Sequence, residues 1–494
     1  MKKIEFMLAV LLLTSVVITA CGDKNGTVKT SETDTGTGTG TVSQSETDAP
    51  NPYVQDDGLP EADLDGRTFT FLTATDITGG ELTVMDSELT GDSLIDTIHY
   101  RTQYVEERYN VDITDLRRSY NDTYTVISKA VLAQDNSFNA CYGFIPYMFQ
   151  LATEGSLTEF TQIPYINLEK PWWDQNAKGA FSVANRLYYM VGDANMFYND
   201  YTWVMYFNKQ LMTDLAGSDP YELVNNGTWT LDAMYTMGVK AVKDLNSDGE
   251  MTPGTDRYGM VTHSPTREAM IYGGGELMFA KDSDDLPVMT MDNERFYSLC
   301  DKIGKIFTQE NFMEDLTGTN TGDSIQTNFM NGNALFAGEV LQCARRYRAM
   351  ETDFGILPYP KFDEAQSNYV SYSLWAVSPV GVPSYMSDGD LETAGLIIEA
   401  LQSASHSSLV SAYFDAALTS SKFLRDEQSD DMLKIIFDTR CYPLATMRDF
   451  GGVVAIITTN IAKNKSNYTS VVAGYKSKVE KDIEEIVDKI QNLP

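Results

Sequence analysis

The densest run of oxygen ligands in the chain is Asp244-Leu-Asn-Ser-Asp-Gly-Glu-Met-Thr-Pro-Gly-Thr-Asp256. Asp244, Asn246 and Asp248 alternate and Gly249 follows, matching the first, third, fifth and sixth positions of an EF-hand-type calcium loop. Glu250 and Asp256 complete the candidate set, although the closing acid arrives one residue late, after Thr255. A bound ion would staple this loop and do no chemistry; the alternative is a solvated, Asx-rich turn. Catalytic constellations are not found. The sequence holds no HExxH, GxSxG or GxxxxGK[ST] pattern and no Cys/His zinc spacing. Paired carboxylates of the glycosidase type are uninformative among 70 acidic residues. No catalytic residue is assigned, and the chain is read as a non-enzyme.

A different chemistry is written at the N-terminus. Lys2 and Lys3 precede an apolar run from Phe6 to Ile18, too short to span a bilayer comfortably and typical of a signal peptide. It ends in Ile18-Thr-Ala-Cys-Gly22, which resembles a bacterial lipobox and makes Cys21 the expected lipidation site. Residues 1–20 are therefore expected to be removed. Residues 21–60, rich in Gly, Ser and Thr, form a disordered tether with a reach on the order of 30–35 Å. The expected location is the outer face of the cell membrane, held by the lipid anchor. The net charge of −33 excludes nucleic acid as a partner. Cys141, Cys300, Cys343 and Cys441 are widely spaced, leaving either disulfides or buried free thiols open.

The elements that must position any site alternate between strand and helix. Arg67 to Thr73 alternates apolar and polar residues as a half-buried strand, and Asp92 to Tyr109 follows with near-helical period. Val111–Ile113 reads as a strand, and Asp122–Gln134 as a helix capped by Asp122. Tyr201–Phe207 is an apolar strand, and Thr230 caps the next helix. Asp353–Pro360 is a buried strand, and Leu391–Leu401 and Lys476–Ile490 are helices. The pattern is α/β. The roughly 430 residues after the tether exceed the usual size of one core, so two lobes are expected.

Several blocks in order give the chain its resemblance. They are Arg101 with Val105-Glu-Glu-Arg-Tyr-Asn110, Lys170-Pro-Trp-Trp-Asp174, Tyr206-Phe-Asn-Lys209, Phe329 to Phe336, Phe354 to Lys361, and Arg425-Asp-Glu427. Together the chain resembles the extracellular solute-binding proteins of bacterial ABC importers, in their large carbohydrate-binding branch. The resemblance implies a two-lobed, type II periplasmic-binding-protein-like α/β fold with an interlobe cleft and a hinge of several crossings. By that analogy, lobe one holds residues 61–203 and 378–440, and lobe two holds 204–371 and 446–494. The crossings then fall after residue 203, near 371–378 and near 440–446. A monomer is implied, with a small-molecule sugar as ligand and importer permease subunits as partners. No cofactor is required beyond an optional structural Ca2+.

Sugar rings have apolar C–H faces and hydroxyl rims, which aromatic planes and in-plane hydrogen bonds match. The chain is 11% aromatic with 28 tyrosines. At the loops that the resemblance places in the cleft stand Tyr142, Phe144, Trp173, Tyr198, Asp200, His263, Arg267, Glu339, Tyr372 and Trp375. These are the candidate ligand-binding residues; for each aromatic the competing role is core packing. Trp172 and Trp173 would face opposite ways in extended chain. A lipid-anchored surface carbohydrate-active enzyme and a non-transport adhesin are the alternatives to solute capture.

Overall fold

Alternation builds the first strand, β1 (Arg67–Ala74), burying Phe69 and Phe71 almost completely. In this computed structural model, residues 53, 57–75, 85, 88–215, 217–316, 321–414 and 427–494 are described. The leader, Cys21, most of the tether and Arg425-Asp426 lie outside them. Strand β1 pairs in parallel with β2 (Val111–Arg118) and β3 (Ala140–Tyr142). Strand β4 (Tyr189–Met190) joins through the antiparallel β13 (Val380–Gly381), giving the order β2-β1-β3-β13-β4. The second sheet contains β5 (Trp203–Asn208), β6 (Tyr258–Thr262), β9 (Met313–Asp315), β10 (Ala334–Val340) and β11 (Phe354–Leu357). Its order is β11-β5-β10-β6-β9. A hairpin of β7 (Phe279–Lys281) and β8 (Pro287–Met289) stands beside it.

Local signals account for many helix ends. Asp92 caps helix Ser93–Tyr109, accepting from the amides of Leu94 at 2.9 Å and Ile95 at 3.1 Å. Asn110, at φ 48°, stops it. Thr230 caps helix Leu231–Val239 through the amide of Ala233. The expected cap at Asp122 is not made. Asp122 already has helical backbone angles, so its carboxylate does not fold back over the first turn of Thr123–Ala133.

Between the sheets the chain passes three times, and the three segments lie side by side. Thr202 bridges Ser373, and the Leu374 amide donates to the Tyr201 carbonyl at 3.0 Å. Strand β12 (Ser371–Tyr372) runs parallel to β14 (Arg440–Cys441), and the Ser373 amide donates to the Cys441 carbonyl. This braid is the hinge. The strands of both sheets point their carboxyl ends toward it. Val340, closing β10, pairs with Trp203, the first residue of β5. Tyr142, closing β3, pairs with Val380 as the chain returns.

The chain after residue 426 departs from the expected apportionment. Helix Glu427–Asp438, expected with lobe one, packs against β11 and helix Pro220–Asn225 of the second sheet's lobe. Its Ser429 hydroxyl lies 3.0 Å from that of Tyr221. The terminal helix Tyr468–Gln491 rests on Val453–Ala462 and reaches both β8 and helix Ile145–Thr153 of the first lobe. The four described cysteines are free thiols. Burial pushes Cys141 and Cys441 up to about 12. Among the described residues, no helix is long and apolar enough to cross a membrane.

Candidate ligand cleft at the hinge

In open α/β sheets, ligands bind beyond the carboxyl ends of the strands. At that edge of the first sheet three aromatics line up. Tyr120, just past β2, stacks on Phe144 at 5.4 Å, and Trp375, on the second crossing, meets Phe144 edge-on at 5.7 Å. Phe144 is buried, whereas Tyr120 and Trp375 each keep part of their surface exposed. Phe144 is thus the wedge that fixes two partly open ring faces. Tyr142 lies deeper, inside the sheet against Phe71.

The matching edge of the second sheet is polar. His263 follows β6, with Nε2 3.5 Å from the Glu339 carboxylate and its ring 5.3 Å from Trp203. Glu339 is buried on β10 and also receives the thiol of Cys343 at 3.6 Å. Trp203 donates its indole N–H to the Tyr359 hydroxyl at 2.5 Å and lies 6.5 Å from the ring of Tyr372. The Tyr372 hydroxyl donates to Glu268 at 2.9 Å, a carboxyl raised by burial. Arg267 turns to Asp315 at 2.6 Å and lies over Phe307.

Hinge residues hold the edges in place. Asp200, fully buried, takes a bidentate pair from Arg345 at 2.9 and 2.7 Å and a hydrogen bond from the Tyr413 hydroxyl at 2.7 Å. Arg345 keeps 33% of its side chain exposed, so one face of this pair is open to the solvent. Tyr198 lies under the Arg440 guanidinium, 4.6 Å from ring centre to carbon. Arg440 also donates to Asp174 at 2.5 Å and to Asn199, and Tyr442 donates to Asp174 at 2.9 Å. Asp174 in turn caps helix Gln175–Phe181.

Trp172 and Trp173 do not face opposite ways. The chain turns there, with the Trp173 amide bonded to the Lys170 carbonyl, so both indoles converge on Glu399 at 2.9 and 3.0 Å. Trp173 is buried in that contact. Burial, opposed by the two indole donors, pushes the Glu399 carboxyl up from 4.5 to about 7. Stability from its protonated form is therefore complete below pH 4.5 and lost as pH rises through about 7. The loss is on the order of 2–3 kcal/mol. Glu399→Gln should flatten this part of the pH dependence between pH 5 and 8 in denaturant melts. It should also lower stability at pH 5, because one amide oxygen serves only one indole.

The acidic loop is tied to itself. Asp244 accepts the amides of Ser247 and Gly249, Asp248 that of Glu250, and Asn246 that of Asp248. Asp256 is buried, with both oxygens on the amides of Leu245 and Thr252 at 2.8 Å. Among the described residues, no group of three or more His, Cys, Asp or Glu side chains converges as a metal site.

Tyr120, Trp203, Arg345 and Glu399 are absent from the sequence-derived candidates. Tyr120 carried a usable signal, an aromatic just past the end of a strand. The partners of Arg345 and Glu399 lie 145 and about 227 residues away, where no spacing rule reaches.

Solved structures share this architecture at low sequence identity. An ABC substrate-binding protein of Listeria monocytogenes, in complex with cycloalternan, superposes with a TM-score of 0.55 at 11% identity. That match covers 85% of this chain and 100% of the other. The cyclic alpha-maltosyl-1,6-maltose binding protein of Arthrobacter globiformis gives 0.54 at 10% identity, covering 85% and 99%. The GacH receptor of Streptomyces glaucescens, solved unliganded and with acarbose, gives 0.52 at 12% identity, covering 87% and 100%. No protein-family model and no curated protein sequence matches the chain. The fold is the two-lobed, type II α/β fold of these binding proteins.

Proposed function

We propose that the chain captures a sugar, most simply an oligosaccharide, between its two lobes and delivers it to the permease of an ABC importer. The observation that carries this reading is the pair of half-exposed rings, Tyr120 and Trp375, wedged by Phe144 at the strand ends beside the hinge. Opposite chemistry stands at the other sheet's edge, where His263, Glu339 and Arg345 offer hydrogen bonds for hydroxyl rims. Support also comes from the fold, whose solved neighbours hold cycloalternan and acarbose. In this reading the protein is a monomeric binder and performs no catalysis. Its body stands outside the membrane on the tether, anchored through Cys21; the order of basic residues, apolar run and lipobox supports that placement.

A thermal-shift screen against maltose, maltotetraose, cycloalternan and a panel of other mono- and oligosaccharides tests the proposal. A rise in Tm with at least one sugar is expected. Reducing ends released from a polysaccharide would favour the enzyme reading, and no response to any sugar would remove the sugar. Calcium at Asp244–Asp256 is not needed for capture. To close on an ion, Asp256 must leave two amides, so Tm of chelator-treated protein should move by less than about 1 °C when calcium is added. A clear rise would restore the metal to the loop.

A further inference from the structure

The two lobes also touch outside the hinge, at a pair of turn tips. One is the turn around Ala184-Asn185, closed by the Val183–Arg186 bridge just before edge strand β4. The other is the tip of the β7–β8 hairpin, Lys281 to Asp285, which springs from the second lobe.

Their contact is dense for so few residues. The Lys281 ammonium donates to the Gly179 carbonyl at 2.7 Å, to the Ser182 hydroxyl at 3.0 Å and to the Ser182 carbonyl. Asp285 takes the Ser182 hydroxyl at 3.0 Å on one oxygen and the Asn185 amide at 2.9 Å on the other. The Asp285 carbonyl accepts the Ala184 amide at 3.0 Å, and Lys281 and Asp285 pair at 3.1 Å. Both side chains are shielded, 14% and 18% exposed.

The backbone is bent to make this contact. Ala184, Asn185 and Asp285 all have positive φ, at 54°, 61° and 62°. An alanine in that region is disfavoured by its Cβ, so the surrounding contacts must hold it there. A turn needing only to reverse the chain would be better served by Asn-Gly.

We propose that these two tips form an interlobe latch, a noncovalent tie outside the hinge that holds the lobes as seen and parts when they rotate. Lobe rotation works through discrete contacts that are made or broken. Residues 179–185 precede the first crossing, and 281–285 lie beyond it. A hinge rotation therefore moves one tip against the other. The latch follows from the two-lobed fold alone and does not depend on the ligand being a sugar.

The test measures the interlobe distance without ligand. Spin labels are placed at Leu132→Cys, on an 84% exposed position of the first lobe, and Val239→Cys, 43% exposed on the second. Cys21 and Cys441 are replaced by serine in the full chain. Lys281→Met keeps the apolar stem and removes the ammonium. In that variant, a second distance population is expected to rise about tenfold over wild type. An unchanged distribution in a folded Lys281→Met protein overturns the latch. If that variant does not fold, Ser182→Ala, which removes one hydroxyl, is read in the same way. Because no sugar is added, failure here leaves the capture proposal standing, and failure of the sugar screen leaves the latch standing.

Discussion

Asp174→Ala is expected to destabilise the protein by about 3–5 kcal/mol, the cost of leaving a buried cation without its partner. Asp174 and Arg440 are both almost completely buried and meet at 2.5 Å where the third crossing packs on the first lobe. Removing the carboxylate strands the guanidinium among Tyr198, Phe437 and Tyr442, whose ring faces attract it but accept no strong hydrogen bond. It also uncaps helix Gln175–Phe181, where Asp174 accepts the amides of Asn176 and Ala177. Arg440→Met should cost less, because Asp174 keeps those amides and the Tyr442 hydroxyl. The double variant should recover part of the Asp174→Ala loss, so the pair couples in a double-mutant cycle. Urea unfolding of the four proteins measures this. A loss below about 1 kcal/mol in Asp174→Ala would mean that water reaches Arg440.

Trp375→Ala is the second large effect, and it is expected in binding. The ring is half-exposed and leans on Phe144 beside the hinge, so its open face is available to a sugar and its loss leaves no enclosed cavity. For the sugar that gives the largest thermal shift, affinity should fall by more than tenfold, which is 1.4 kcal/mol. Phe144→Ala is the contrasting case. That ring is fully buried, so its removal should cost about 3–5 kcal/mol of stability. Titration calorimetry on folded Trp375→Ala decides the matter, since equal affinity takes the ring out of the site.

Much of the site's neighbourhood was legible before the structure, because short-range rules govern it. Tyr198, Asp200, Tyr372 and Trp375 all lie on the crossing segments, and His263 follows a strand in the second sheet. Placement on an element is a local property. The direction of a side chain is not. Tyr142 and Trp173 sit on the expected segments yet are enclosed, one by the sheet's own core and the other by a glutamate from helix Asp388–Phe414. A turn at Lys170–Trp173 replaced the extended chain that alternation assumes, and so brought two indoles to one side.

By itself the sequence determined the α/β alternation, the caps at Asp92 and Thr230, and the charge that excludes nucleic acid. It also carries the export and lipidation signal that the described residues do not reach. These rest on hydrophobic period, on hydrogen bonds between near neighbours, or on composition, all readable within a few residues. Tertiary structure alone decided which acids meet which cations. It chose Arg345 for Asp200, Arg440 for Asp174 and two tryptophans for Glu399. It also moved helix Glu427–Asp438 to the second sheet's lobe and set the turn tips at Ala184 and Asp285 against each other. With 70 acidic residues and 37 basic ones, candidate pairs vastly outnumber real ones. Only the packing of distant segments, which buries a few of those charges and leaves the rest in water, selects among them.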